Sequence, residues 1–279
     1  MLRQRVLTAI ALLAGLSAAL WGMDLPAFSW LVAVILGLAG WEWARLAGFG
    51  TWTARASGVL TFLLVAGCAR FAFDAYGLRQ EAGTAITVLH SVAALCWLLA
   101  VPFWMWRTLR PSQAVLVVTG VVVLLPPALA LIQLRAVGVL PLLLLMAVVW
   151  IADIAAYFAG RSFGRHKLAP TISPGKTWEG AAGAVLAVQI YGAAIAPLLD
   201  DAGLAVPSAP VWSVLLLLLT AVSIVGDLFE SMMKRRAGMK DSSQLLPGHG
   251  GILDRVDSLT ATLPLIGLYL LNTSNGLSN

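Results

Sequence analysis

Ser231-Met-Met-Lys-Arg-Arg-Ala-Gly-Met-Lys-Asp-Ser-Ser-Gln-Leu-Leu-Pro-Gly-His-Gly-Gly-Ile-Leu-Asp-Arg-Val-Asp257 is a dense run of charge, glycine and proline in a chain that otherwise avoids charge. Its neighbours decide how it is carried. Val211 to Gly226 holds no charged residue before Asp227, and Ser258 to Leu271 holds none after Asp257. Two hydrophobic segments therefore deliver a polar loop to a bilayer surface, and a membrane protein keeps such a cluster where charged chemistry is done.

Composition points the same way. The 279 residues are 60% hydrophobic and 11% charged, with a mean hydropathy of +0.89, whereas soluble domains are about a quarter charged. The expected fold is an all-α, polytopic integral membrane bundle. A spanning helix needs roughly 20 mostly apolar residues, and nine segments qualify: near Val6 to Trp21, Ala27 to Trp43, Ser57 to Phe73, Thr84 to Trp106, Ala114 to Leu134, Leu140 to Gly160, Thr177 to Leu199, Val211 to Phe229 and Leu253 to Leu271. Pro126-Pro127 predicts a kink in the fifth. The N-terminal apolar run after Arg3 and Arg5 lacks a small-residue cleavage site and is read as a retained first helix. Cys68 and Cys96 lie in apolar surroundings without metal-ligand spacing and read as small buried hydrophobes. Trp21, Trp41, Trp43, Trp104, Trp106 and Trp150 fall toward span ends, as interface anchors do. The chain shows no soluble domain; it divides into N-terminal transmembrane helices, 1–149, and a C-terminal transmembrane region, 150–279, that carries the polar cluster.

Lys and Arg set the orientation, because short cytoplasmic loops are enriched in them. Fifteen of the 18, Lys167, Lys176, Lys234, Arg235, Arg236, Lys240 and Arg255 among them, fall on one side of the nine-span topology, and Arg70, Arg79 and Arg135 on the other. The N-terminus is thus expected in the cytoplasm and the tail 272–279 outside. The net charge of +5 is mainly this asymmetry plus a surface suited to phosphates, so no nucleic-acid partner is invoked.

Three polar pieces then meet at the cytoplasmic face. In the first, Asp153, Tyr157 and Arg161 recur every four residues and share a helix face. The second runs from Lys167 to Gly180, where Ser173-Pro174-Gly175 reads as a turn and Lys176 with Thr177 opens a helix whose free amides favour an anion. In the third, Asp227, Glu230 and Lys234 share a face, and Asp254 and Asp257 open the ninth segment. Glu230 reads as the partner of Lys234. Asp227 and Asp257 have no cation nearby in sequence to pair with. Such acids can ligate a hard divalent cation, leaving the basic residues for phosphate groups.

Ser231, Lys234-Arg235, Lys240-Asp241-Ser242, Pro247-Gly248-His249-Gly250-Gly251 and Asp254-Arg255-x-Asp257 together resemble the signature of the phosphatidate cytidylyltransferase (CDP-diacylglycerol synthase) family. Upstream, Asp153, Tyr157, Gly160-Arg161, Phe163-Gly164, Lys167, Pro170 and Ser173-Pro174-Gly175-Lys176-Thr177 fit the same pattern. The likeness covers about Trp150 to Leu265; residues 1–149 match in hydropathy alone. It implies transfer of a cytidylyl group from CTP to phosphatidate, giving CDP-diacylglycerol and diphosphate in phospholipid biosynthesis, in a bacterial inner membrane with the active site on the cytoplasmic side. It also implies magnesium, with room for a second cation, held by Asp227 and Asp257 with Asp254 as ligand or orienter. Lys234, Arg235, Lys240 and Arg255 would grip phosphate oxygens, with Asp241 and His249 in the catalytic set. Substrates would be bound by Asp153, Tyr157, Arg161, Lys167, Ser173, Lys176 and Thr177. A secondary transporter is the alternative class, and a CTP-dependent lipid kinase the alternative enzyme. Gly180, Gly183 and Ala187 give one helix a close-packing face that leaves room for a homodimer.

Overall fold

A computed structural model describes the backbone of residues 2–274 and the side chains of residues 6–272. A helix stands at each of the nine predicted places. These are α1 (Leu2–Gly22), α2 (Leu25–Leu46) and α3 (Thr51–Ala72); then α4 (Gly83–Leu95), joined by a π-helical turn at Cys96–Ala100 to α5 (Val101–Arg107); then α6 (Gln113–Val137), α7 (Val139–Phe163), α8 (Trp178–Asp201), α9 (Ala209–Arg236) and α10 (Leu253–Ser274). Among the described residues, seven helices are long and apolar enough to cross a membrane: α2, α3, the stretch Gln80–Arg107, α6, α7, α8 and α9. In α1 the described apolar part is only Val6–Gly22, and α10 opens with Asp254, Arg255 and Asp257. The expected nine crossings are thus seven by length and composition. The side chains of Arg3 and Arg5, and most of the tail expected outside, lie beyond the described residues.

The helical expectation also misses a hairpin. β1 (Lys167–Ala169) pairs antiparallel with β2 (Ser173–Thr177), Lys167 opposite Thr177 and Ala169 opposite Ser173. Ser173-Pro174-Gly175, expected as a turn, is extended; the turn comes earlier, where the Ile172 amide donates to the Ala169 carbonyl at 3.2 Å. A two-stranded ribbon leaves one edge of each strand open, so Pro174 costs it no ladder bond that a central strand would need. Pro126 and Pro127 lie inside α6, which continues through them as one helix. Both are buried against neighbouring helices, whose packing offsets the lost backbone bonds.

A single apolar core runs through helices of both halves. Its aromatic centre is Phe229 of α9, ringed by Trp43 at 6.2 Å, Trp97 at 5.6 Å and Trp104 at 5.3 Å between centroids. Trp43 and Trp104 are therefore core residues, not the interface anchors expected. Their indole N–H groups donate to the Leu116 and Leu109 carbonyls, both at 2.9 Å, which removes the polar reason for an indole to stay at the interface. Trp21 and Trp106, 66% and 73% exposed, remain free for that anchoring role.

Contacts at the helix ends agree with alternate crossing. Arg135, at the end of α6, donates to the Met23 carbonyl between α1 and α2. At the opposite end Arg45 of α2 donates to the Ser242 carbonyl, and Thr8 of α1 to that of Pro247. The charged loop 237–252 is thus tied to the N-terminal helices. Along α8, a Cβ on Gly180 would stand 2.8 Å from the Ala156 carbonyl, and one on Gly183 would strike Ala159. Those two glycines serve packing of α8 on α7 within the chain.

Candidate active site

The hairpin is pinned at the mouth of α8. Thr177 caps the helix, its hydroxyl accepting the Gly180 amide at 3.1 Å. Glu179, in the first turn, accepts the His166 backbone amide at 3.2 Å and meets the His166 ring nitrogen at 2.6 Å. This fixes the ribbon over the end of α7, where Asp153, Tyr157 and Arg161 share the face expected of them. Arg161 donates to the Tyr157 hydroxyl at 2.8 Å.

Opposite stand α9 and α10, which touch at Gly226. A Cβ there would lie 2.8 Å from the Asp257 carbonyl and 2.9 Å from the Ala261 methyl. Only glycine lets the two backbones come this close, and the approach sets Asp227 beside Asp257. Asp257 is near enough to Asp227 and Asp153 to feel their repulsion, and Asp153 feels both the repulsion of Asp227 and the attraction of Lys176. The Lys176 ammonium, from β2, meets Asp227 at 2.5 Å. Asp227 therefore does have a cation, delivered across the site by the hairpin and not by its own helix. The three aspartates, Tyr157, Arg161 and Lys176 line one cavity of about 660 Å³, with Ser173 and Thr177 in its wall.

Asp254 also reaches that cavity, but its oxygens are engaged. One takes the Lys234 ammonium at 2.6 Å; the other takes the Ser242 amide at 2.8 Å, the Ser242 hydroxyl at 2.9 Å and the Gly251 amide at 2.8 Å. Of the two roles expected for it, these bonds are compatible with orienting its neighbours and leave few free lone pairs for a cation. Lys234 sits between Asp254 and Glu230, 2.6 Å from each, so the expected Glu230 partnership is present and the lysine lines neither cavity. Lys240, Asp241, His249 and Arg255 line a second cavity of about 460 Å³. The loop that forms it turns tightly: the Leu246 amide donates to the Gly250 carbonyl and the His249 amide to that of Leu246, both at 2.8 Å. Gly248 and Gly250 hold φ of +76° and +82°, a region that L side chains rarely adopt. Arg235 and Lys167 are exposed and line neither cavity.

Sequence reading missed Glu42. This fully buried acid of α2 accepts the Ser243 hydroxyl at 2.5 Å, the Ser242 hydroxyl at 3.1 Å, and the Ile252 and Leu253 amides at 3.0 and 2.8 Å. It caps the start of α10. One signal for it was available, since Glu42 is the lone acid in the apolar run from Ala27 to Trp43.

Among the described residues no three Asp, Glu, His or Cys side chains converge to cage an ion. Asp227 beside Asp257 is a donor set for a hard cation that brings its other ligands with it, because magnesium sites commonly use one or two carboxylates plus phosphates and water. The aspartates Asp153, Asp227 and Asp257 outnumber the cations Arg161 and Lys176 in this cavity, an excess of negative charge that such an ion would offset.

Comparison with known proteins places these residues in context. Residues 3–272 match the model of the cytidylyltransferase family. A phosphatidate cytidylyltransferase from Pseudomonas aeruginosa is 39% identical over 97% of this chain and 97% of its own length. One from Haemophilus influenzae is 33% identical over 96% of this chain and 98% of its own. One from Brucella suis is 51% identical over a shorter stretch, 47% of each chain.

Proposed function

The chain belongs to the cytidylyltransferase family, and from that membership and the geometry around Asp227 we infer that it joins CTP to phosphatidate, giving CDP-diacylglycerol and diphosphate. A phosphate oxygen of phosphatidate forms a bond to the α-phosphorus of CTP as the bond from that phosphorus to the β-phosphate bridging oxygen breaks. The nucleophile is already anionic, so no side chain need take a proton. The obstacle is charge, because an anion has to approach a polyanion.

The observation that carries this reading is one cavity in which acids and cations face each other: Asp153, Asp227 and Asp257 on one hand, Arg161 and Lys176 on the other. Asp227 and Asp257 would hold magnesium, which supplies neutralisation of the triphosphate and of the departing diphosphate. Lys176 and Arg161 bind phosphate oxygens from the hairpin and α7, Arg161 in an orientation steadied by Tyr157. Asp254 orients Lys234 and the loop behind the carboxylates. Lys240 and Arg255, with His249, present donors to phosphate in the adjoining cavity. On this reading the apolar helices keep the acyl chains of the lipid in the bilayer while the nucleotide comes from the cytoplasm, the protein lies in a bacterial inner membrane with nine crossings and the N-terminus inside, and catalysis belongs to residues 150–279.

Purified protein in detergent, supplied with CTP, phosphatidate and magnesium, is expected to form CDP-diacylglycerol and release diphosphate in equal amounts. Release of CDP with a phosphorylated lipid would make it a lipid kinase, and turnover of neither would favour transport.

A further inference from the structure

We infer that Glu42 is a positioning residue for the reaction: held in the N-terminal half, it clamps the two ends of the loop 242–253 and so fixes Asp254 and the cationic cavity from behind. This rests on the proposed function above. Three features carry it. First, the carboxylate gathers four donors from both ends of the loop, Ser242 and Ser243 where it begins and Ile252 and Leu253 where it ends. Among the described residues no Lys or Arg lies within ion-pair distance of Glu42. It works as an acceptor hub, buried and matched oxygen by oxygen, and an unmatched donor in such a place is costly. Second, the Ser242 hydroxyl stands 3.1 Å from Glu42 and 2.9 Å from Asp254. One hydroxyl proton lies between two carboxylates, so the placement of Asp254, and through it Lys234, is tied to α2. Third, a Cβ on Gly251 would strike the Ser242 hydroxyl and a Glu42 oxygen. That glycine is demanded by the clamp itself, with no ligand needed to explain it.

Glu42 touches no cavity that holds reacting groups; it acts by stiffening the wall that carries Lys240, His249 and Arg255. The test compares Glu42→Gln, Glu42→Asp and Ser243→Ala with wild type in detergent. Gln keeps the size but turns N–H groups toward donors. It is expected to lower kcat about 10- to 100-fold, the usual cost of losing a group that orients a site from behind, with KM for CTP raised more than KM for phosphatidate. Peptides covering 240–252 are expected to exchange amide hydrogens faster. Ser243→Ala, which removes one donor from the carboxylate and the acceptor of the Leu245 amide, is expected to speed exchange at amides of 240–252 other than Leu245 with unaltered melting temperature, and Glu42→Asp to recover part of the rate. Wild-type kinetics and exchange in both Glu42→Gln and Ser243→Ala would overturn the inference. So would a rate loss in Glu42→Gln with unchanged exchange at 240–252, or one that merely tracks unfolding while Ser243→Ala behaves as wild type. If the wild type itself makes no CDP-diacylglycerol, the reaction reading fails, and exchange alone then decides whether Glu42 clamps the loop.

Discussion

Lys176 and Asp227 lie far apart in sequence and 2.5 Å apart in space, so a cation that takes the same carboxylate oxygen of Asp227 would displace the lysine. Lys176→Ala is therefore expected to lower kcat/KM about 10- to 100-fold when CTP is varied, in line with losing a charged hydrogen bond to phosphate, and less when phosphatidate is varied. The same variant is expected to bind magnesium without nucleotide more tightly than wild type, measurable by titration calorimetry; equal affinity would mean that the lysine does not compete. Asp227→Asn and Asp257→Asn keep the shape and remove the charge. Each is expected to cost at least about 100-fold in turnover, the scale for losing a group that stabilises developing charge, with the protein still folded and inserted. Chelation by EDTA is expected to abolish turnover and added magnesium to restore it; robust activity in the chelated enzyme would end the metal assignment. The acids were legible in sequence because charge is conspicuous in an apolar chain. Their partners were not. That Lys176 meets Asp227, and that Glu42 meets Ser242, depends on which helices pack together, and no local spacing encodes it.

At the level of elements, α9 and α10 are held together at Gly226, one residue before Asp227. Gly226→Ala adds a methyl 2.8 Å from the Asp257 carbonyl, forcing the helices apart where the two carboxylates are paired. About a tenfold or greater fall in kcat is expected, since misplacing groups by about 1 Å costs on the order of 100-fold, with melting temperature lowered only modestly; an unchanged rate would mean that the spacing tolerates such a shift. Phe229→Ala, by contrast, empties the centre of the ring formed by Trp43, Trp97 and Trp104. It belongs with buried aromatic deletions that cost about 3–5 kcal/mol in soluble cores, and a large drop in melting temperature is expected to accompany it. Helix positions were legible from runs of apolar residues alone. The hairpin was not, because strands of three and five residues in a polar linker offer no apolar periodicity to read, and glycine and proline look alike in a turn and on a ribbon edge.

For the molecule as a whole, composition was enough to give the membrane class, and the distribution of Lys and Arg sets an expected direction of insertion that labelling can test. With Cys68 and Cys96 replaced, a cysteine at Thr171 in the hairpin is expected to react with an impermeant thiol reagent only from the cytoplasmic side. One at Tyr76, 96% exposed between α3 and α4, should react only from the opposite side. The reverse pattern would invert the protein and its active site. What composition could not disclose is how the halves depend on each other, and the buried acid of α2 has a consequence for how the chain is made. During synthesis α2 is inserted long before Ser242 exists, since the two residues are 200 positions apart. At about 5–20 residues per second the ribosome needs roughly 10–40 s to cover that distance. Through that interval the nascent protein carries a carboxylate without its donors, and a chain truncated before the loop is expected to leave Glu42 unsatisfied for good.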